Sequence, residues 1–246
     1  MRYRALLLVL VIAFSGCIYD NDLSDCPQGI IVDFYSKTPC NVDTLYPEFS
    51  NVTIALYDAN GNFVPSRAKN DTINAKNGTF TVKATATDGE HRYAGESEPV
   101  FLPDPQDAGT VFKYAPINMK EITSRVTIVV TGLPNANNYE VTIESPDATL
   151  DGNVSKIGEL DVEFTVLNLA TNFKGDVVIK TKQDGTELYR GDLLNALLLQ
   201  NPTVNLECDH DFDIRFTVDD HGQTGTYAIA QIWVNNWLVH SYGTDL

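Results

Sequence analysis

Basic residues are scarce in this chain. Its 246 residues hold 17 Lys and Arg against 33 Asp and Glu, a formal net charge of −16. Such a surface repels phosphate backbones and anionic lipid headgroups, which excludes nucleic acid as a partner class and leaves exterior solubility as the plain reading of the acidity. Cysteine is scarce too, with 4 in all, and none stands in the paired spacing of a zinc site. The 4 histidines, His91, His210, His221 and His240, form no HExxH pair. There is no GxSxG elbow, no phosphate-cradling glycine loop and no Cys–His signature. No enzyme activity, metal or cofactor is expected. Long hydrophobic runs are missing as well: the apolar stretch Ala5 to Phe14 is shorter than the about 20 residues that cross a bilayer.

That short run has another use. Arg2 and Arg4 precede it, and Ser15, Gly16 and Cys17 follow it, which is the layout of an export signal. A cysteine directly after small residues is the acceptor of lipoprotein maturation. Its thiol takes a diacylglycerol and the peptide is cut before it, so residues 1–16 read as signal peptide and Cys17 as the lipidation site. Several acyl chains hold a protein to a membrane where one binds only marginally. The expected lipid is that of the outer membrane. Residues 17–28 begin with the acidic leash Ile-Tyr-Asp-Asn-Asp-Leu-Ser-Asp, which holds the folded body off the membrane.

Export implies an oxidising compartment. Cys17 is committed to lipid, leaving Cys26, Cys40 and Cys208, an odd number. The strand expected over Ile30 to Tyr35 would hold Cys26 and Cys40 roughly 20 Å apart at about 3.3 Å per residue. A disulfide needs Cα atoms within about 7 Å. The arrangement favours Cys40 with Cys208 and a free Cys26, unless the chain doubles back after the strand.

The body is all-β by pattern. Val52, Ile54 and Leu56 alternate with small or polar neighbours, and Asp58-Ala-Asn-Gly-Asn62 turns the chain into Phe63-Val64, a hairpin. Thr79–Thr87 is answered by His91–Gly95, and Thr110–Ala115 follows. After Pro116 the pattern restarts at Arg125, with strands expected at Val126–Val130, Tyr139–Ile143, Asp161–Leu167, Val177–Lys182, Thr186–Tyr189, Val204, Phe212–Val218, Thr226–Val234 and Trp237–Tyr242. One helix interrupts the series, where Leu193, Leu194, Leu197 and Leu198 recur between Asp192, a cap, and Asn201-Pro202, a stop. Short strands at regular spacing indicate two sandwiches, expected over residues 29–119 and 120–246.

Two acidic clusters invite a calcium reading. Asp58-Ala-Asn-Gly-Asn62 has its glycine in the fourth position, and Lys69 stands where a bidentate Glu is needed, so a turn is expected. In Asp209-His-Asp-Phe-Asp213 the alternation places Phe212 and Ile214 on one face, so strand patterning is expected. Trp233 and Trp237 stand four residues apart, which on one extended strand puts them on one face, as a core pair, a sugar platform or a plug for a partner's groove.

Several stretches, in order, resemble the fimbrial anchor-subunit lipoproteins of Bacteroidetes: Leu23-Ser-Asp-Cys-Pro-Gln-Gly29, Ile31-Val-Asp-Phe-Tyr35, Tyr57-Asp-Ala-Asn-Gly-Asn-Phe63, Leu193 to Pro202, Asp211-Phe-Asp-Ile214 and Ile232-Trp-Val-Asn-Asn-Trp-Leu238. The resemblance implies two tandem transthyretin-like β-sandwiches and a place at the base of a type V fimbria, with shaft or accessory subunits as partners. In shaft subunits of that kind an arginine-specific protease removes the lipid and first strand, and a neighbour's last strand fills the groove by β-strand addition. Here the only basic residue between Cys17 and Ser66 is Lys37, and the first arginine after Cys17 is Arg67. The chain is therefore expected to keep its tether and first strand and to donate its last strand, through Trp233, Trp237 and Val239. The alternative is a surface lipoprotein that binds glycans or host ligands.

Overall fold

The computed structural model describes residues 26–40, 43–45, 49–66, 68–69, 72–89, 91–146, 149–151, 153–154, 160–220 and 227–241. The chain divides into two compact units between Glu121 and Ile122. Both are almost wholly β. The signal peptide, Cys17, Arg67, His221 and the last residues of the expected C-terminal strand lie outside the described residues.

The first unit holds β1 (Gln28–Tyr35), β2 (Ser50–Asp58), β3 (Phe63–Val64), β4 (Ala68–Lys69), β5 (Thr72–Asn74), β6 (Gly78–Asp88), β7 (His91–Glu96), β8 (Val100–Leu102), β9 (Val111–Asn118) and β10 (Lys120–Glu121). They form one sheet in the order β4-β5-β1-β9 and another in the order β10-β7-β6-β2-β3, with β8 added to β6. Alternation decides which face each strand buries. Ile30 and Val32 of β1, Ile73 of β5 and Ala115 and Ile117 of β9 meet Leu56 of β2, and Phe80, Val82, Ala84 and Ala86 of β6, in one core. Residues from both sheets share that core, which makes the unit a two-sheet sandwich. Pro116 has no N–H to give, and it is placed on β9 at a sheet edge, where a missing donor is tolerated.

β1 lies inside its sheet. It pairs parallel with β9 from Gln28↔Val111 to Tyr35↔Asn118 and antiparallel with β5 from Gly29↔Asn74 to Ile31↔Thr72. The fit is tight at Gly29, where a Cβ would stand 2.8 Å from the Ile73 carbonyl oxygen and 3.2 Å from the Phe112 ring. The folded body also begins earlier than residue 29. Cys26 and Gln28 are both buried, so the leash does not extend through Gln28.

The second unit holds β11 (Thr123–Thr131), β12 (Tyr139–Glu144), β13 (Thr149–Asp151), β14 (Asn153–Val154), β15 (Leu160–Leu167), β16 (Asp176–Thr181), β17 (Glu187–Asp192), β18 (Asp211–Asp219), β19 (Ala228–Val234) and β20 (Trp237–Ser241). Its sheets run β14-β15-β11-β18-β19-β20 and β13-β12-β16-β17. Val126, Ile128, Val130, Phe212, Ile214 and Phe216 from the first meet Val141, Ile143, Val177 and Ile179 from the second.

The leucine segment departs from expectation in kind, not in place. Leu193–Leu197 is a π-helical turn and Leu198–Gln200 a turn of 3-10 helix. The Leu198 N–H reaches back to the carbonyls of both Leu193 and Leu194, and the Asp192 carboxylate caps the start by accepting from the Asn195 N–H. The wider turn lets Leu193, Leu194, Leu197 and Leu198 all reach the core. No strand forms at Val204; Val204 packs on the core from a turn instead.

Candidate functional site

Two places in the fold hold the candidate functional strands: the slot filled by β1 and the hairpin that ends the described chain. In the slot, β1 has strands on both flanks and core on one face. Its start is pinned by Gln28, whose amide donates to the Gly109 carbonyl at 3.2 Å and accepts from the Asn77 N–H at 3.5 Å. At its far end the Met119 N–H donates to the Tyr35 carbonyl at 2.7 Å. The pattern alone made Gln28 part of a leash. A polar side chain two residues before an alternating run was the one available signal that the strand starts sooner.

In the hairpin, β20 pairs among the described residues only with β19, from Gln231↔Ser241 to Val234↔Trp237, and lies at the sheet edge. The turn is made by Asn235 and Asn236, both with positive φ, 48° and 64°. That is the pairing a two-residue type I′ turn needs, and asparagine tolerates it. Asn235 also locks the turn onto β18: its side chain accepts from the Asp213 N–H and its own N–H donates to the Asp213 carbonyl, both at 2.8 Å.

The tryptophans therefore do not share a strand or a face. Trp233 is on β19 and Trp237 on β20. Val234 and Trp237 are cross-strand partners and so share a face, while Trp233 alternates to the other. Trp233 is half-buried, with its indole N–H donating to Gln231 at 3.3 Å. Trp237 is 46% exposed and Leu238 41%. The register slips between Ile232 and Trp233, leaving Val239 as the extra residue of a bulge, packed against the core. Sequence spacing ignored the turn that separates the two tryptophans.

The sequence marks Asn201 only as a helix stop, yet it is buried and bonds to this hairpin. Its amide donates to the Val234 carbonyl at 2.9 Å, while its oxygen accepts from the Thr203 N–H at 3.0 Å and hydroxyl at 2.8 Å.

The cysteines depart from expectation. Cys26 is disulfide-bonded, so it is not a free thiol. The chain also doubles back beyond β1, where Ser36 and Leu45 exchange backbone hydrogen bonds at 2.8 and 3.0 Å around the turn that carries Cys40.

The acidic clusters resolve into local structure. Asp58 closes the β2–β3 turn by accepting from the N–H groups of Asn60 and Asn62 at 2.8 and 2.9 Å. The hydrogen bonds from Asn62 hold its carboxyl below the usual carboxylate range. Asp211 pairs with Arg125 at 3.0 Å, and Asp213 accepts from Arg215 at 3.0 Å. Among the described residues no three His, Cys, Asp or Glu groups gather as metal ligands. A cleft of about 590 Å³ opens beside the leucine turn, lined in part by Glu144, Asp176, Arg190 and Leu199. The Arg190 guanidinium donates to Glu187 at 2.6 Å, Glu144 at 2.8 Å and Asp176 at 3.3 Å, and these hydrogen bonds raise Arg190 above its ordinary value.

The edge hairpin and slotted first strand sit within a chain that has clear relatives. Residues 93–243 match the family described as fimbrillin-A associated anchor proteins Mfa1 and Mfa2, and the chain belongs to that family. It is 29% identical to the minor fimbrium anchoring subunit Mfa2 of Porphyromonas gingivalis, over 93% of this chain and 90% of that one. The solved structure of the fimbrial anchor protein Mfa2 from Porphyromonas gingivalis superposes with a TM-score of 0.75 at 25% identity, covering 88% of this chain and 100% of that chain. A solved protein from Bacteroides thetaiotaomicron superposes with a TM-score of 0.62 at 16% identity over 89% of this chain and 99% of that one, a likeness of fold alone.

Proposed function

We propose that this chain is a lipid-anchored fimbrial subunit: acylated on Cys17, it holds a type V fimbria in the outer membrane and joins its neighbour by giving up β20 for strand addition. Both sandwiches are read as transthyretin-like. The observation that carries the reading is the placement of β1. A strand with partners on both sides cannot be removed without opening its sheet, and the first arginine after Cys17, Arg67, follows β3 in the chain. A cut there would take β1 from one sheet and β2 and β3 from the other. The anchor thus retains its tether and its own first strand, so its slot is closed to a donor. Support for β20 as the donated strand comes from its edge position, its single pairing partner and the exposure of Trp237 and Leu238. Main-chain hydrogen bonds and alternate side chains then make the joint.

The test is a pair of variants in the native organism. Cys17→Ser should abolish palmitate labelling and release the protein, with its fimbriae, from the outer-membrane fraction. Deleting residues 237–246 should leave the protein acylated and membrane-bound but absent from sheared fimbriae. Unchanged acylation and fractionation in the first variant overturns the tether, and normal incorporation of the second overturns the donor role.

A further inference from the structure

The first unit has two unlike ends. One gathers the start of β1 at Gln28, the start of β6 at Gly78, the end of β8 at Leu102 and the start of β9 at Val111. Pairing fixes this: Gln28 stands opposite Val111, Gly78 stands opposite Leu102, and the Ala75 N–H donates to the Gln28 carbonyl at 3.3 Å. The β2–β3 turn opens at the same end, because Asp58 stands opposite Phe80 near the start of β6. The other end gathers Tyr35, Asn118 and the β6–β7 turn that follows Asp88. Large apolar side chains in water are divided unequally between the two. Phe63 is 61% exposed, Phe101 62%, Phe112 41% and Tyr114 72%, and pairing puts all four near the Gln28 end. None is a core ring showing its edge: Leu102 and Ala115 take the core face of β8 and β9, so Phe101, Phe112 and Tyr114 alternate outward. Among the described residues the other end has only Leu45, beside Ser36.

The chain enters the unit at the aromatic end. Cys26 is already buried there, and residues 18–25 are all that separates it from Cys17. Fully extended, that stretch reaches at most roughly 30 Å at about 3.3–3.6 Å per residue. β6 alone has 11 residues and spans about 36 Å at about 3.3 Å per residue. A leash of that length cannot run past the whole unit, so the Leu45 end is held away from the bilayer that keeps Cys17. The aromatic end lies within its reach.

We infer that this end of the first unit rests on the lipid interface, with Phe63, Phe101, Phe112 and Tyr114 set into the headgroup layer. The inference rests on the acylation of Cys17. Aromatic side chains favour that layer: the ring leaves water, and a hydroxyl such as that of Tyr114 keeps polar partners. Apolar side chains on one surface of a peripheral protein settle there in the same way. Charge selects the lipid. Lys113 stands between Phe112 and Tyr114, and Asp104 and Asp107 precede them on the connection from β8. Mixed signs suit a zwitterionic headgroup, whose phosphate meets the lysine and whose cationic group meets the carboxylates. The net charge of −16 disfavours an anionic one. The acyl chains hold the protein in place, and the four rings decide which way the unit stands.

The acylated full chain is placed in vesicles of phosphatidylethanolamine and phosphatidylcholine whose acyl chains carry bromine close to the headgroup, a contact quencher of tryptophan. A tryptophan is added singly at the aromatic end, in Phe63→Trp, Phe101→Trp, Phe112→Trp and Tyr114→Trp, and at the other end, in Leu45→Trp. All five positions are exposed, so each variant should melt as the parent does. The signal of Trp233 and Trp237 is subtracted with the parent. The expected result is loss of the added fluorescence in the first four variants and none in Leu45→Trp. Protein that floats with the vesicles but shows equal quenching at both ends, or none at the aromatic end, overturns the inference and leaves the tether standing. Protein that does not float overturns the tether, and the inference falls with it. Shielding of the four positions in assembled fimbriae, with no response to brominated lipid, would give this surface to a protein neighbour and equally overturn the inference.

Discussion

The first and last strands of the described chain, β1 and β20, are built on opposite principles. β1 has a strand on each side, a glycine where its neighbours come closest, and Ile30 and Val32 in the core. β20 has one partner, a bulge at Val239, and most of its side chains in water. Fully burying a residue such as Ile30 contributes about 1.5–3 kcal/mol, and a strand paired on both flanks adds hydrogen bonds of roughly 0.5–1.5 kcal/mol each. β20 has few of either. One strand is part of the frame and the other is held loosely enough to be exchanged. The same contrast recurs inside the second unit, where β11 fills the place that β1 fills in the first: it pairs parallel with the late strand β18 and antiparallel with β15.

The largest expected effect breaks the comparison if it fails. Placing an unpaired carboxylate at the two strands should give very different costs. Ile30→Asp buries a charge with no partner and should destabilise the first unit by about 4 kcal/mol or more. Val239→Asp places the same group at a half-buried edge bulge, where it can turn to water, and should cost under about 2 kcal/mol. Urea unfolding followed by circular dichroism reads both. Equal costs would mean that β20 is as integral as β1, and the donated-strand reading would lose its physical basis.

Much of this frame was legible in the residues. Alternation at Val126, Ile128 and Val130, and again at Phe212, Ile214 and Phe216, located the central strands of the second unit because the side-chain period of a strand is fixed. The turns at Asp58–Asn62 and Gln183–Gly185 were legible from their Asp, Asn and Gly residues. Three things were not. Which strands lie side by side is a long-range matter, so the parallel pairing of β1 with β9 left no local mark. The Trp233–Trp237 spacing looked like one face because asparagine turns carry a weaker signal than Asn-Gly. Asn201 looked like a stop because its partner, the Val234 carbonyl, is distant in sequence. In each case the missing information was a contact between segments, while what was legible was periodicity within one.

A smaller effect sharpens the contrast by asking what holds the last hairpin. Asn201 is the buried group beneath it, and Asn201→Leu would leave the Val234 carbonyl and the Thr203 N–H without their partner. Stability of the second unit should fall by about 1–3 kcal/mol. Amide hydrogen exchange should speed up first along β19 and β20, leaving the β1 amides protected as before, because the two strands belong to different compact units. Matched acceleration at β1 would show that the two ends of the chain do not open separately.

The smallest effect compares the two hairpins that carry exposed aromatic residues. The β19–β20 turn is made of Asn235 and Asn236, which do not titrate. The β2–β3 turn is closed by Asp58, whose carboxyl is held below its ordinary value of 3.8, chiefly by hydrogen bonding from Asn62. A depressed carboxylate stabilises the folded state fully above its unfolded value, and that contribution is lost as pH falls through the lower folded value. Acidification through that lowered value should therefore release the Asn60 and Asn62 N–H groups from Asp58 and speed their exchange, once exchange is normalised to the intrinsic rate at each pH. The Asn235 and Asn236 amides should keep their protection over the same range. In Asp58→Asn the acid-dependent step in the first turn should vanish, since the group that titrates is gone. A step that persisted in that variant would place the acid sensitivity in the strands themselves, and the two hairpins would then differ in their sheets and not in their turns.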